Sequence, residues 1–266
     1  MQVVVLLAGI VDPKWRLERL ALRPDTGQAD ETGLPKRFSP FDEAALETAL
    51  KLRDAEPAVR CTAVVVGDAA SDPLLRAVLA FRPHRAVRLD TSGLALWDPL
   101  AAVRLLGAAL DALGAQPDLL LMGREFGDVD DGVLPALLAE ARGCLFFGQA
   151  HAVTPAEDGP LAVRMRGPRE EQQRLPSPAL VSMTNDRGNR LRHPLMKNIA
   201  LAKRETLEIV SPPPRHFARA VEARSLSVVP PPSRGAGACR ILGGPLGAQV
   251  AELADYLRGW RGEVPQ

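Results

Sequence analysis

The sequence predicts an α/β protein built around a parallel β-sheet, and two patterns support this prediction. Short apolar runs at residues 3–7, 62–66, 86–89 and 119–122 alternate with longer stretches in which apolar residues fall at helical spacing. Near-continuous apolar runs are typical of strands that are covered on both faces, as they are in a parallel sheet. The alternation therefore indicates successive βα units with right-handed crossovers and helices on both faces of the sheet.

Helices are predicted after these strands, at residues 40–55, 72–81, 98–113 and 132–142. The first has Ser39 as its N-cap, Pro40 at the first helical position and acidic residues in the first turn, which are the residue types that favour a helix start. The same order of residue types in Ser71, Asp72 and Pro73 predicts the start of the second helix.

From about residue 145 the pattern changes. Strands are predicted at residues 145–153 and 161–166, and the turn-rich residues 154–160 between them indicate a β-hairpin. A further strand is predicted at residues 180–183. Residues 1–183 are therefore assigned to one α/β domain of the parallel-sheet, nucleotide-binding (Rossmann-like) type, with the hairpin as an extension.

The last third of the chain is expected to meet other surfaces. Residues 184–210 carry basic residues among apolar ones and are predicted to be a partner-recognition loop. Proline clusters at residues 212–214 and 230–232 enclose little regular structure. They predict an extended C-terminal arm over residues 211–266 that lies on another surface, with an amphipathic helix at 248–260 near its end.

Within this loop, Leu195 and Met196 stand between Arg192 and Lys197. Apolar residues framed by basic ones can anchor a partner while the charges steer its approach. Spacing leaves a second interpretation equally open, in which the loop is solvated and its aliphatic residues pack into the local core.

The composition argues against several functions. Lys and Arg total 33 and Asp and Glu total 32, so no global field favours nucleic acid or a membrane surface. No apolar run approaches the ~18 residues of a membrane helix, and the opening run makes a poor signal peptide. The three cysteines are scattered, which fits a reducing compartment. We therefore expect a cytoplasmic protein without membrane insertion.

Familiar catalytic patterns are missing from the sequence. It has no nucleophile elbow, no zinc-binding H-E-x-x-H, no G-x-G-x-x-G after the first strand and no Walker lysine loop. The four histidines are dispersed, and none has a companion at metal-ligand spacing. We expect neither catalytic residues nor a metal site.

The predicted sheet offers one place for a ligand. In an open parallel sheet, ligands bind beyond the carboxyl ends of the strands, and three such ends lie at residues 7–9, 66–68 and 123–132. Glycines there let the backbone approach a ligand closely, and the helix that begins near Gly132 can present N–H groups to a phosphate. The alternatives are an unoccupied sheet end and a helix-capping role for the acidic residues of 128–131.

Four motifs, in order over residues 2–210, resemble the electron-transfer flavoprotein β-subunit family. They are Val11-Asp12-Pro13 after the first strand, Ser39-Pro40-Phe41-Asp42-Glu43 at a helix start (N-P-F-D/C-E in the family), the run from Gly123 to Gly132 (G-R/K-Q-A-I-D-x-D-T-A/G) and the run from Arg192 to Arg204 (R-Y-P-x-L-x-x-I-M-K-A-K-K). Each motif alone is weak, but four at family-like separations make the chain similar to a divergent member.

The resemblance implies a non-catalytic β-subunit of a heterodimer with FAD near the subunit interface, held chiefly by the α-subunit. In the family the β-subunit also binds AMP or a second FAD. The cofactor-binding residues implied here are Leu6, Ala8, Ser39, Pro40, Phe41, Val66, Gly67, Asp128, Val129, Asp130, Asp131, Gly132, Val133 and Leu134.

The resemblance also implies partners. Electrons would come from a flavin-dependent dehydrogenase, of the N-methyl amino acid or acyl-CoA type, and pass toward a respiratory acceptor through a quinone-linked oxidoreductase. The C-terminal arm and its helix would pack on the α-subunit. The family's docking leucine aligns with Met196, next to Leu195. The predicted docking residues are Leu195, Met196, Arg192 and Lys197.

The chain departs from the family at the expected phosphate site. Residues 131–135 read Asp-Gly-Val-Leu-Pro where the family has T-A/G-Q-x-G, and Ser39 replaces an asparagine. A like charge beside a phosphate costs on the order of 1 kcal/mol or more, whereas most backbone N–H groups remain. We expect an AMP-sized ligand rather than a second FAD. The alternative function is an adenine-nucleotide-binding regulatory protein of the same α/β superfamily.

Overall fold

A computed structural model describes residues 1–15, 30–91, 98–114, 116–127, 132–211 and 241–260 of the chain. The chain divides into two compact units, Met1–Leu226 and Ser227–Gln266. The strands described in the first unit are β1 (Gln2–Leu7), β2 (Ile10–Val11), β3 (Lys36–Arg37), β4 (Arg60–Gly67), β5 (Arg85–Asp90), β6 (Leu119–Gly123), β7 (Leu145–Ala150), β8 (Ala152–Thr154), β9 (Leu161–Arg166), β10 (Arg169–Arg174), β11 (Ala179–Met183) and β12 (Glu208–Val210). Its described helices are α1 (Pro40–Ala55), α2 (Asp72–Leu79), α3 (Pro99–Ala112), α4 (Val133–Arg142) and α5 (Met196–Ala202).

Among the described residues, seven strands form a parallel sheet in the order β12-β5-β4-β1-β6-β11-β7. The predicted α/β class is therefore confirmed, and the four strands that were predicted from apolar runs occupy neighbouring positions in this sheet. The predicted bounds of the helices agree with the structure within two residues, because proline, glycine and capping residues mark most of their ends.

The core lies on both faces of the sheet. Val3 and Val5 of β1 pack in one buried cluster with Leu46 of α1. Leu6, which points to the opposite face, packs in a second cluster with Leu106 of α3. Successive side chains of a strand alternate between faces. Both faces are covered here, and β1 is therefore apolar at nearly every position.

The start of α1 follows the predicted pattern. Ser39 Oγ accepts a hydrogen bond from Asp42 N at 3.0 Å, and the Asp42 carboxylate accepts one from Ser39 N at 3.1 Å. This reciprocal pair is a capping box, which satisfies two backbone N–H groups at the helix start. Pro40 occupies the first turn, where its missing N–H has no consequence.

The predicted start of α2 is confirmed at Asp72, but the cap expected from Ser71 is not formed. Ser71 makes no capping hydrogen bond, and its hydroxyl is buried. A short 3₁₀ turn, Ala69–Ser71, precedes α2, so Ser71 already has helical backbone angles and its side chain cannot reach back to a free N–H group. Asp68 instead caps this turn by accepting from Ala70 N at 3.1 Å.

The predicted hairpin is displaced. The stretch 145–153 is two strands: β7 joins the parallel sheet beside β11, and β8 pairs antiparallel with β9. The physical reason is a bulge between β7 and β11 at Gln149, which has a positive φ of 60° and ends the regular pairing. A third strand of this small sheet, β10, pairs with β9 and was not predicted.

The second unit contains the helix α6 (Leu246–Trp260) among its described residues. Its apolar residues Leu246, Val250, Leu253 and Leu257 recur at helical spacing, so the predicted amphipathic helix is confirmed. The rest of the predicted arm, residues 212–240 and 261–266, lies outside the described residues, and its packing on another subunit stays a prediction. None of the helices described here has the length and apolar character needed to cross a bilayer.

Candidate functional site

The carboxyl ends of β4, β1 and β6 lie side by side at one edge of the sheet. β1 runs between the other two strands, with Leu6 opposite Val64 on one side and Met122 on the other. The arrangement brings the predicted residues Leu6, Val66 and Gly67 together. Leu6 and Val66 are buried in the core, so their side chains can only form the floor of a site. We call this edge, together with the start of α1, the strand-end site.

Asp42 joins the end of β1 to the start of α1. Its Oδ1 accepts from Ala8 N at 3.2 Å, and its Oδ2 accepts from Gly9 N at 3.1 Å, Ser39 N at 3.1 Å and Ser39 Oγ at 2.9 Å. Burial raises the pKa of Asp42, and the hydrogen bonds from Ser39, Ala8 and Gly9 act in the opposite direction. Sequence reasoning treated Asp42 only as an acidic residue of the first helical turn.

The end of β6 packs directly on the first turn of α1. A Cβ added to Gly123 would lie 2.7 Å from the carbonyl oxygen of Glu125 and 2.8 Å from Phe41 Cβ. The guanidinium of Arg124 lies over the Phe41 ring, 5.2 Å from its centroid, at a distance typical of a cation–π contact. The predicted residue Phe41 therefore belongs to the strand-end site through β6, and Ser39 belongs to it through Asp42 and the end of β1.

We expect Gly123→Ala to destabilise the protein by about 2 kcal/mol, because its methyl group meets backbone and Cβ atoms that cannot move aside easily. Gly107→Ala is the matched control: Gly107 lies in α3 with no atom within 4 Å of an added Cβ, and alanine favours helix by up to about 1 kcal/mol. Thermal denaturation of the two variants and the wild-type protein measures the difference in stability. Equal stability of Gly123→Ala and the wild-type protein would contradict the close packing.

The α4 side of the site is described only in part. Asp128, Val129, Asp130 and Asp131 lie outside the described residues. Of the neighbouring predicted residues, Gly132 is the N-cap of α4 and has a positive φ of 64°. Val133 is 40% exposed, and Leu134 is buried in the cluster that also contains Leu6 and Val66. Pro40 is exposed at the start of α1, and Ala8 is half-buried.

A buried arginine supports the site from β5. Arg88 donates to Asp72 at 2.6 Å, to Asp90 at 2.9 Å and to the carbonyl oxygen of Gly67 at 3.0 Å. Since a buried cation is costly unless it is paired, these contacts lock the end of β4 to β5 and α2. Sequence reasoning missed Arg88; the signal was a basic residue within an otherwise apolar strand.

Side chains of α1 hold the first half of the predicted docking loop. Lys51 Nζ donates to the carbonyl oxygen of Gly188 at 2.5 Å and to Asn189 Oδ1 at 3.1 Å. Further along, Arg192 forms an ion pair with the buried carboxylate of Glu47 at 2.8 Å. These contacts fix the first half of the loop against a helix of the core.

The second half of the loop is fastened to α2 and β5. Arg76 Nη1 donates to the carbonyl oxygens of Ala202 at 3.0 Å and Lys203 at 3.1 Å, where α5 ends. Arg85 pairs with Glu208 at 2.5 Å, where β12 joins the sheet. The loop is therefore anchored on both sides of α5, at Arg192 before it and at Ala202 where it ends.

Between these contacts the apolar residues project outward. Leu195 is 69% exposed and Met196 is 79% exposed, at the start of α5, and Lys197 follows them on the surface. The interpretation in which these two residues pack into the local core is therefore wrong. Arg192 differs from the other three predicted docking residues, because its guanidinium forms ion pairs with Glu47 and Asp54 of the same chain. These ion pairs raise the pKa of Arg192.

The remaining candidate groups offer little chemistry. The part of the chain that the structure describes contains no cluster of three His, Cys, Asp or Glu side chains suited to a metal ion. Cys61 is buried in the core, and burial raises the pKa of its thiol to about 11, so the reactive thiolate is disfavoured.

Comparison with known proteins gives a consistent result. Residues 26–210 match the family described as "Electron transfer flavoprotein domain". The chain is 30% identical over 265 residues to "Electron transfer flavoprotein subunit beta, mitochondrial" of Oryza sativa subsp. indica, covering 97% of this chain and 98% of that protein. It is 26% identical to "Electron transfer flavoprotein subunit beta" of Bradyrhizobium diazoefficiens, over 78% and 80% of the two chains. It is also 32% identical to "Protein FixA" of Rhizobium meliloti, over 49% and 44%.

Proposed function

The chain belongs to the electron-transfer flavoprotein β-subunit family, and from this membership we propose that it pairs with an α-subunit in a heterodimer that carries electrons on FAD. Family membership carries the heterodimer, and the observation that carries its docking function is the exposed pair Leu195 and Met196 on a loop that is anchored on both sides. Large apolar side chains presented on an ordered support are typical of interface anchors.

The electron donor in this proposal is a flavin-dependent dehydrogenase that docks on Leu195 and Met196. Lys197, exposed beside them, adds positive charge that steers the approach of an acidic surface. The dehydrogenase is of the acyl-CoA or N-methyl amino acid type, and a quinone-linked oxidoreductase receives the electrons. A location in the cytoplasm stays a prediction.

The described part of the strand-end site fits the ring of a nucleotide better than its phosphate. The half-buried Phe41 would face a ring, and the buried residues Leu6, Val66 and Gly67 would lie below it. The backbone N–H groups of Ala8 and Gly9, which end β1, already donate to Asp42. A phosphate would therefore be held at the start of α4, near Gly132.

These features support an AMP-sized nucleotide in this subunit, with FAD held mainly by the α-subunit. When bound, FAD supplies the one-electron chemistry that the side chains of this chain lack. The residues of this chain that would hold and orient the nucleotide are Phe41 from α1, Gly67 from β4 and Gly132 before α4.

Co-expression with an α-subunit tests the proposal. We expect a yellow heterodimer that releases one FAD and one AMP when it is denatured and analysed by mass spectrometry. It should also accept electrons from a reduced acyl-CoA dehydrogenase or a reduced N-methyl amino acid dehydrogenase. A flavin-free homodimer that binds an adenine nucleotide and accepts no electrons would instead support a regulatory protein. Two FAD per heterodimer would contradict the AMP assignment.

A further inference from the structure

We propose that Glu47 is a positioning residue for docking: its buried carboxylate holds Arg192 and thereby fixes the direction in which Leu195 and Met196 project. The inference rests on the proposed function, because it concerns how the docking residues are presented to a dehydrogenase. Glu47 itself does not touch the partner, since it is buried beneath the loop on α1.

The contact between Glu47 and Arg192 constrains backbone as well as side chain. Arg192 Nε lies 3.1 Å from Oε1 and 3.0 Å from Oε2 of Glu47, and Nη2 lies 2.8 Å from Oε1. In addition, the backbone N–H of Arg192 donates to Oε2 at 3.2 Å. A forked guanidinium–carboxylate pair has a defined geometry, and the backbone bond transmits that geometry to the chain three residues before Leu195.

Because Glu47 is buried, losing this contact would cost free energy. A carboxylate that is removed from water needs charged or hydrogen-bonding partners, and Arg192 supplies every hydrogen bond described for the Glu47 carboxylate. Arg192 also contacts Asp54, one residue before the end of α1. The helix therefore offers two carboxylates on one side, and Arg192 is held by both.

The same helix forms the strand-end site. Ser39 and Asp42 at the start of α1 bind the end of β1, and Glu47 lies five residues further along, a distance of about 7.5 Å at 1.5 Å per residue. One continuous helix thus connects the residues that would hold a nucleotide with the residue that orients the docking pair. Docking through Leu195 and Met196 then has a fixed relation to the cofactor region.

Other contacts keep the loop folded when the Glu47 contact is removed. Lys51 holds Asn189 before Arg192, and Arg76 holds the end of α5 after it. Glu47→Gln keeps the shape of the side chain but removes its charge. We therefore expect this variant to loosen the middle of the loop while both ends stay in place.

Limited trypsin digestion of the native heterodimer tests the local effect. We expect cleavage after Lys197 to be about tenfold faster in Glu47→Gln than in the wild type, because the loop opens more often. The matched control is Glu43→Gln on the same helix, which removes a partly exposed ion pair with Arg37 at 3.4 Å and should leave cleavage unchanged. Equal cleavage in Glu47→Gln and the control would overturn the proposal.

Steady-state electron transfer from the reduced acyl-CoA or N-methyl amino acid dehydrogenase tests the functional effect. We expect Glu47→Gln to raise KM for the dehydrogenase about tenfold with kcat unchanged. In a heterodimer that already carries Leu195→Ala and Met196→Ala, Glu47→Gln should raise KM no further, because nothing is left to position. If the effects of Glu47→Gln and of the double alanine substitution on KM were additive, the proposal would be overturned, because Glu47 would then act independently of Leu195 and Met196.

A conservative variant separates positioning from folding. Arg192→Lys keeps the positive charge but cannot form the forked contact with Glu47. We therefore expect it to raise KM less than Glu47→Gln does, at an unchanged melting temperature. An increase of KM that follows the loss of melting temperature across all these variants would overturn the proposal. If Leu195→Ala with Met196→Ala leaves KM unchanged, the docking function itself fails, whatever the trypsin result.

Discussion

Replacing Leu195 and Met196 together by alanine is expected to raise the KM of the heterodimer for its dehydrogenase about thirtyfold, or about 2 kcal/mol. Both side chains are largely exposed, at 69% and 79%, at the start of a helix whose end is capped by Arg76. A partner that covers them removes their apolar surface from water and gains free energy that alanine cannot provide. Steady-state kinetics over a range of concentrations of the reduced dehydrogenase measures the change.

The same exposure predicts what the double variant leaves intact. Truncating two solvent-facing side chains removes little packing within the subunit, so FAD content and melting temperature should stay at wild-type values. Leu100→Ala is the matched control, because Leu100 is 42% exposed in the first turn of α3 and lies outside the loop. A double variant that loses thermal stability but transfers electrons normally would contradict the docking role.

Much of the fold could be predicted because its signals are local. The buried runs of β1, β4 and β6 are apolar at almost every position, and the helix starts at residues 39–42 and 98–101 carry capping residues and proline. In such segments, propensity, periodicity and burial agree, so a short window of sequence contains the information that decides the structure.

The elements that were missed depend on distant contacts. β10 reads Arg-Glu-Glu-Gln-Gln-Arg and is a strand only because it pairs with β9. α5 is seven residues long with no capping side chain at Leu195, and an isolated helix of this length is unstable in water. Its last carbonyl groups are satisfied by Arg76, which lies 126 residues earlier in the chain. No local pattern reveals such a partner.

The candidate site likewise contains residues that the sequence predicts and residues whose roles depend on distant contacts. Val66 and Gly67 were predicted from the rule that ligands lie at strand ends and Leu6 from the family resemblance, and the structure places the three on neighbouring strands. The residues that hold the site together, Asp42 and Arg88, were not predicted as such. Their roles follow from hydrogen bonds to chain segments 16 to 34 residues away, although the spacing of Ser39 and Asp42 did contain the signature of a capping box.

Asp42 is expected to give the largest effect on stability. Asp42→Ala would leave the N–H groups of Ala8, Gly9 and Ser39 and the Ser39 hydroxyl without their present acceptor in a buried region. Each unsatisfied buried donor costs about 1–3 kcal/mol, and partial relaxation reduces the sum. We therefore expect a loss of at least about 4 kcal/mol, which lowers the melting temperature of the heterodimer by roughly 10 °C.

Asp42→Asn separates the hydrogen bonds from the charge. The amide oxygen can take the position of Oδ2, which accepts from Gly9, Ser39 N and Ser39 Oγ, so Ala8 alone faces an amide NH₂ group. Burial raises the pKa of Asp42, which means that the ionised carboxylate carries a desolvation cost that asparagine avoids. We expect a loss of about 2 kcal/mol for this variant.

Thermal denaturation of the two Asp42 variants measures this order, with Glu43→Gln, a partly exposed residue of the same turn, as the control. The expected ranking of melting temperatures is Glu43→Gln near the wild type, Asp42→Asn below it and Asp42→Ala lowest, because the number of unsatisfied donors increases in that order. If the Asp42→Ala and Asp42→Asn variants had the same melting temperature, the four hydrogen bonds would contribute little to stability. The end of β1 would then be held to α1 by apolar packing alone.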